Sequence, residues 1–198
     1  MDRQYKAFIS YRHLPLDHSI AKKLHRTIEH YVIPRALRKD GVKKLGYVFR
    51  DQDELPLSGN LSDNIRDALD RSEYLIVICS RETPNSKWVQ REISYFSEHH
   101  DRDHILTLLI DGTPEISFPP QLTQIEQEDG TVRQVEPLAA NIVAGSAAKR
   151  NRLFSSERLR ILAALIGCSY DELFRREQRY KTRRILAAAA AGTSLAAC

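Results

Sequence analysis

One unbroken apolar run constrains the fold of this chain more than any other feature of the sequence. Residues 74–79 read Tyr-Leu-Ile-Val-Ile-Cys, and residues 104–110 form a second run of the same kind. A short, continuous apolar run is typical of a central parallel strand that is covered on both faces. The two runs therefore predict a parallel sheet with helices packed against it.

Strands and helices alternate along the first half of the chain. Aromatic and β-branched residues predict a first strand over 5–11 and a brief second strand over 47–49. Apolar residues at helical spacing predict helices over 17–32, 61–69 and 86–99. Because strands and helices alternate, we expect a doubly wound α/β fold.

The second half of the chain is harder to interpret. Residues 111–154 are rich in Pro, Gly and Ala, and a short final strand is expected near Val135 or Ile142. A helix is predicted over 155–166. A capping box beginning at Ser169 opens a last helix.

The charge of the chain is concentrated in one block. The 198 residues carry a formal net charge of +4 and otherwise have ordinary globular composition. Residues 175–184 contain six basic residues and one acidic residue, which leaves 24 basic and 25 acidic residues elsewhere. The body of the chain is close to neutral, so the sequence does not indicate a nucleic-acid partner.

An apolar tail follows this basic block. Residues 185–198 are 14 uncharged residues, fewer than the roughly 20 that span a bilayer. A Lys/Arg cluster before an apolar run is nevertheless the pattern at the cytoplasmic end of a transmembrane helix. We expect a truncated membrane segment that tethers the protein to the cytoplasmic side of the membrane. The alternative is the frayed end of an alanine-rich helix.

Three polar segments come directly after the first three predicted strands. They are residues 10–13, 50–59 and 80–82. In an open parallel sheet, ligands bind beyond the carboxyl ends of the strands, where the strand order reverses. The arginines and hydroxyls in these segments would suit a ligand with phosphates and hydroxyls, although none of them is a P-loop or a Gly-x-Gly-x-x-Gly turn.

Glu92 is the most unusual residue of the predicted third helix. At about 100° per residue it falls on the apolar stripe, between Trp88 and Phe96. A carboxylate on a packed face is costly unless it is paired or functional. Two interpretations remain open: a functional carboxylate, or a residue at the wet edge of the stripe that pairs with Arg12 or Arg50.

Other polar residues have structural interpretations. Asp17 or Ser19 is placed to cap the first long helix. Cys79 ends a buried strand and is expected to be a packed thiol. The histidines and acids of residues 99–104 are expected to form a solvated loop, and no metal site is predicted. Three cysteines without a Cys-x-x-Cys pair argue against a disulfide framework.

Four segments in order resemble a TIR (Toll/interleukin-1 receptor) domain of the bacterial type. Residues 6–12 look like the family's box 1, and residues 49–59 look like its BB loop. Residues 72–80 match the central strand, and residues 86–93 are similar to the Trp-x-x-x-Glu helix. The resemblance is strongest over residues 5–120.

The resemblance implies a flavodoxin-like fold with five parallel strands in the order 2-1-3-4-5. It also implies NAD⁺ glycohydrolase or cyclase activity, with NAD⁺ as a substrate and no further cofactor. The essential glutamate of the family corresponds to Glu92. Cleavage of the nicotinamide–ribose bond builds positive charge on the anomeric carbon, which one carboxylate can stabilise.

The family's remaining site residues are carried over in the same way. The resemblance assigns substrate binding to Tyr11, Arg12, Asp51, Ser80 and Trp88. His13 stands where many members have Arg or a small residue. The BB-loop residues implied in self-association are Asp53, Glu54, Leu55, Pro56, Leu57 and Gly59.

The sequence therefore predicts an NAD⁺-consuming TIR signalling or defence effector that is activated by self-association. The predicted organisation is a TIR domain over 1–150, a basic helical juxtamembrane extension over 151–184 and the apolar tail. The alternative is a non-catalytic module that binds other TIR domains through residues 51–59.

Overall fold

The computed structural model describes residues 4–50, 63–126, 130–135, 137 and 139–195, with side chains omitted for residues 126 and 184–195. Its strands are β1 (Tyr5–Ser10), β2 (Val48–Arg50), β3 (Ser72–Cys79), β4 (Ile105–Leu109), β5 (Gln124–Glu126), β6 (Val132–Gln134) and β7 (Ala139–Asn141). Its α-helices are α1 (Pro15–His30), α2 (Asp63–Asp70), α3 (Lys87–His99), α4 (Pro114–Ser117), α5 (Pro120–Thr123), α6 (Ala147–Ile166) and α7 (Tyr170–Leu195).

Five strands form one parallel sheet in the order β2-β1-β3-β4-β7. The predicted flavodoxin-like fold is confirmed. The fifth sheet strand is β7 in chain order because β5 and β6 form a separate antiparallel hairpin before it. The strand order reverses between β1 and β3, because β1 leads outward to β2 on one side and the chain then returns to the other.

The core consists of two layers, one on each face of the sheet. Alternate residues of β3 divide between them, so that Ile76 packs with α1 and α6 and Val77 packs with α2 and α3. Successive side chains of a strand point to opposite faces, so a strand covered on both sides must be apolar at every position. This explains the continuous apolar run that the sequence displays.

Helix α6 belongs to the first of these layers. It begins at Ala147, eight residues before the predicted start, because the Ser146 side chain accepts a hydrogen bond from the backbone N–H of Lys149 at 3.3 Å. Its residues Phe154, Leu159 and Leu162 are buried in the same cluster as α1. The proposed boundary at residue 150 thus falls inside a helix whose apolar face covers the sheet.

The predicted caps have mixed outcomes. Helix α1 begins at Pro15 without a side-chain cap, so the cap predicted at Asp17 or Ser19 is wrong. Asp17 instead faces the interior, with 2% of its surface exposed. The cap of α7 predicted at Ser169 is confirmed, because its hydroxyl accepts from the N–H of Glu172 at 3.2 Å. Ser86 caps α3 in the same way, accepting from the N–H of Val89 at 3.3 Å.

The final sheet strand lies at residues 139–141, beside Ile142 rather than at Val135. Val135 follows β6 and donates its backbone N–H to the carbonyl of Thr123 at 2.8 Å. Helix α7 continues through the basic block as far as Leu195. Among the described helices, none combines the length and the apolar character that crossing a membrane requires.

Candidate active site at the carboxyl edge of the sheet

Glu92 lies at the point where the strand order reverses. It is the sixth residue of α3, its exposed fraction is 1%, and its Oε2 accepts a hydrogen bond of 2.5 Å from Oγ of Ser10. Ser10 is the last residue of β1 and is also 1% exposed. The carboxylate is therefore fixed against the end of the central strand next to the switch point.

The helix explains why this glutamate is buried. Val89, Ile93 and Phe96 are the apolar anchors of α3 and are fully buried against the sheet. Glu92 is carried inward on the same face, since residues three and four apart lie side by side on a helix. Trp88 is half-buried at the start of this face. Glu92 thus lies inside the packed stripe rather than at its wet edge.

The two arginines of the alternative interpretation contact other groups of this edge. Arg12 donates to the backbone carbonyl of Glu82 at 2.9 Å and to its Oε2 at 3.1 Å. Arg50 ends β2 and donates to Oη of Tyr11 at 3.2 Å. Both guanidinium groups lie at the carboxyl edge of the sheet, because Arg12 follows β1 and Arg50 is the last residue of β2.

Tyr11 is the buried aromatic group of this edge. Its side chain is 3% exposed, and its Oη also lies 3.5 Å from Nδ1 of His18. The ring of His13 is 4.8 Å from the Tyr11 ring, centroid to centroid. Burial and the Arg50 charge lower the pKa of His18. The edge is thus positive and aromatic beside the buried carboxylate.

A second buried carboxyl lies at this edge, and the sequence interpretation missed it. Ser80 directly follows β3, and its Oγ donates to Oδ1 of Asp17 at 2.9 Å. The backbone N–H of Ser80 donates to Oγ1 of Thr83 at 2.8 Å, and all three residues are buried. Burial raises the pKa of Asp17 to about 6, while the hydrogen bond from Ser80 and the charge of Arg12 act in the opposite direction.

One signal could have identified Asp17. The position lies three residues before Ile20 and four before Ala21, both of which belong to the buried face of α1. Residues at this spacing share a helix face, so Asp17, like Glu92, is an acid on an apolar stripe. Its place near a helix start instead suggested a cap.

Cys79 lies within the described residues, whereas Asp51 and the predicted BB-loop residues do not. Cys79 is fully buried and its pKa is raised by burial, as expected of a packed thiol. Asp51 and the BB-loop residues Asp53, Glu54, Leu55, Pro56, Leu57 and Gly59 lie outside the described residues. Within the described ranges, no group of three or more His, Cys, Asp or Glu side chains is arranged to hold a metal ion.

The arrangement is suited to a reaction that develops positive charge. A carboxylate excluded from water interacts more strongly with a nearby cation than an exposed one does. The neighbouring arginines offer charged donors of the kind that bind phosphate oxygens. The site therefore combines an anion for a developing cation with cations for an anionic substrate.

The fold and this edge define a TIR-like domain of the bacterial type. The family model described as the TIR-like domain of the Thoeris protein ThsB matches residues 8–115. This match includes more than half of the chain, and the chain belongs to that family.

Two further proteins are similar to the chain. A protein named NAD(+) hydrolase ApTIR, from Actinoplanes sp., is 35% identical over 112 residues. This alignment covers 55% of the chain and 14% of that relative, so the chain spans only a small part of its length. The TIR domains of the activated Roq1 resistosome align with 21% identity and a TM-score of 0.42, over 57% of this chain and 61% of that one.

Proposed function

We propose that this protein cleaves the nicotinamide–ribose bond of NAD⁺ and that Glu92 is its catalytic carboxylate. The observation that carries the proposal is the burial of Glu92 at the switch point of the sheet, hydrogen-bonded to Ser10. Membership of a TIR family and the similarity to a protein named as an NAD(+) hydrolase support the substrate class.

The reaction mainly requires the protein to stabilise positive charge on the ribose. As the C1′–N bond breaks, its electron pair leaves with nicotinamide, which departs as a neutral base, and positive charge builds on the ribose. Glu92 stabilises this cation without needing to donate a proton. Water then attacks C1′ and releases one proton, which gives ADP-ribose; attack by a nitrogen of the adenine ring in place of water gives a cyclic product.

The surrounding residues have supporting roles in this proposal. Tyr11 and Trp88 supply aromatic surface for the nicotinamide end of the substrate. Arg12 and Arg50 are placed for its diphosphate, since a guanidinium binds phosphate oxygens through paired donors. Ser80 lies at the same edge, where its hydroxyl is oriented by Asp17.

Self-association is the proposed means of activation. Residues 51–59 of the BB loop are the assembly surface that the family resemblance implies. Assembly would complete or order the substrate site, so that dilute monomer has little activity. The fair assay therefore fuses the chain to a partner that forms multimers.

The test is nicotinamide release from NAD⁺ by the enforced assembly, followed by chromatography of the products. Glu92→Gln should reduce the rate at least 100-fold while the far-UV circular dichroism is unchanged, as expected when the main electrostatic stabiliser is lost. Glu98→Gln is the matched control, because Glu98 is an exposed acid on the same helix.

Equal turnover by Glu92→Gln and the unsubstituted protein would contradict the proposed role of Glu92. Absence of turnover by the assembled protein, together with tight binding to other TIR domains, would identify the alternative function of a non-catalytic interaction module.

A further inference from the structure

A basic groove lies at the opposite edge of the molecule from Glu92. Helix α1 starts at the carboxyl edge of the sheet and runs back along it, so its end lies where the strands begin. The segment after α1, residues 32–38, forms one wall of the groove, and α7 forms the other. The groove has a volume of about 580 Å³, within the usual range of small-molecule sites.

Five arginines line this groove in the part of the chain that the structure describes. Arg176, Arg179 and Arg183 lie on one face of α7, at positions i, i+3 and i+7. Arg35 and Arg38 face them from the other wall. Among the described residues that line the groove, Glu177 is the one acid, and it accepts a hydrogen bond of 2.8 Å from the hydroxyl of Tyr31.

The walls of the groove are held in place before any ligand binds. The contact between Tyr31 and Glu177 joins the end of α1 to α7. Arg38 is fixed by a hydrogen bond of 2.9 Å from its Nε to the carbonyl of Ile33, and Arg176 by a 3.0 Å ion pair with Glu172. Nε of Arg176 is buried and has no hydrogen-bond partner among the described residues.

Collecting like charges on two facing walls is unfavourable unless an anion compensates them. Arginine is also the residue that best matches phosphate, because its planar fork donates two parallel hydrogen bonds. An aromatic surface accompanies the charge, since Tyr180 lines the groove with 62% of its surface exposed. Val32 lines it too and is 56% exposed.

We propose that the groove between residues 32–38 and α7 binds a small organic diphosphate, such as a nucleoside diphosphate. The arginines on both walls bind the two phosphate groups, and the base or sugar lies against Tyr180 and Val32. The concave shape favours a small ligand, because a flat membrane or a nucleic-acid backbone would contact one wall of guanidinium groups rather than both. The site is separate from the proposed NAD⁺ site and does not depend on that function.

Calorimetry of the full chain with ADP, pyrophosphate and adenosine, at about 150 mM salt, tests this proposal. ADP should bind more tightly than pyrophosphate, and adenosine should show no measurable binding. The double variant Arg179→Gln/Arg183→Gln should weaken ADP binding at least tenfold. The matched control is Arg175→Gln/Lys181→Gln, which removes the same charge from exposed positions of α7 outside the groove and should change binding less than twofold.

Thermal unfolding followed by circular dichroism checks that both double variants fold, which glutamine favours because it is a good helix former. Four results would overturn the proposal. They are no binding of ADP or pyrophosphate, equal weakening by the two double variants, adenosine binding as tightly as ADP, and groove-dependent binding of anionic vesicles or RNA that ADP does not displace. The last result would assign the groove to a macromolecular partner.

Discussion

The hydrogen bond from Ser10 to Glu92 makes a quantitative prediction. Ser10→Ala removes one hydroxyl oxygen at the end of β1 and leaves the strand backbone unchanged. Both residues are 1% exposed, so water has little access to replace the lost donor. The buried carboxylate of Glu92 would then lack one of its hydrogen-bond donors.

The expected cost follows from the charge of the acceptor. A hydrogen bond to a charged group contributes about 1.5–3 kcal/mol, against about 0.5–1.5 kcal/mol between neutral groups. We therefore expect Ser10→Ala to lower the free energy of unfolding by about 1.5–3 kcal/mol. In a Glu92→Gln background the same change should cost only about 0.5–1.5 kcal/mol.

The assay is a double-mutant cycle measured by urea unfolding at neutral pH. The four proteins are the unsubstituted chain, the two single variants and the double variant, and their coupling free energy should be about 1 kcal/mol. Ser97→Ala is the control on α3, because the Ser97 hydroxyl donates to the carbonyl of Ile93 at 2.8 Å. That carbonyl is already an acceptor within the helix, so we expect a change below about 0.5 kcal/mol.

A coupling of zero would refute this account, as would a cost for Ser10→Ala no larger than that for Ser97→Ala. Either result would mean that the carboxylate does not depend on the strand end for its stability. The proposal that Glu92 is held in place for catalysis would then lose its structural basis.

Two further predictions concern the same edge and its neighbouring turn. The pKa of Asp17 is raised from 3.8 to about 6, so the folded protein binds a proton more tightly than the unfolded chain does. Burying the ionised carboxylate therefore costs nothing below pH 3.8, and the cost to the free energy of unfolding grows to about 3 kcal/mol as the pH rises to about 6. Urea unfolding across pH 4–7 should show that Asp17→Asn removes this loss of stability. An unchanged dependence of the free energy of unfolding on pH in that variant would contradict the prediction. Gly112 has φ +82° and an added Cβ would overlap the Ser117 hydroxyl, so Gly112→Ala should cost about 1–3 kcal/mol. Gly145→Ala, where nothing lies within 4 Å of the added atom, is the control, and an equal effect at both positions would count against the clash.

The sequence determined the layered fold because the burial of each strand and helix follows from the pattern of neighbouring residues. A strand covered on both faces must be apolar throughout, so residues 74–79 identified a central strand directly. Helices covering the sheet need one apolar stripe, which α1 and α3 display at helical spacing. The same local rule placed Glu92 on a buried face, and the structure agrees.

The tertiary structure decided which partners these residues meet. Glu92 is 82 positions from Ser10, and Asp17 is 63 positions from Ser80, so no local pattern relates them. Asp17 illustrates the limit, because an acid in the first turn of a helix is as compatible with a cap as with a buried carboxyl.

The start of α6 and the basic groove required the same long-range information. The polar residues 149–152 obscure the helical period where α6 begins, although the apolar residues that follow pack against the sheet. The sequence located a block of positive charge on one helix, and only the packing of α7 beside the end of α1 brought Arg35 and Arg38 to face it. Helix faces and strand burial follow from neighbouring residues, whereas sites form where distant segments converge.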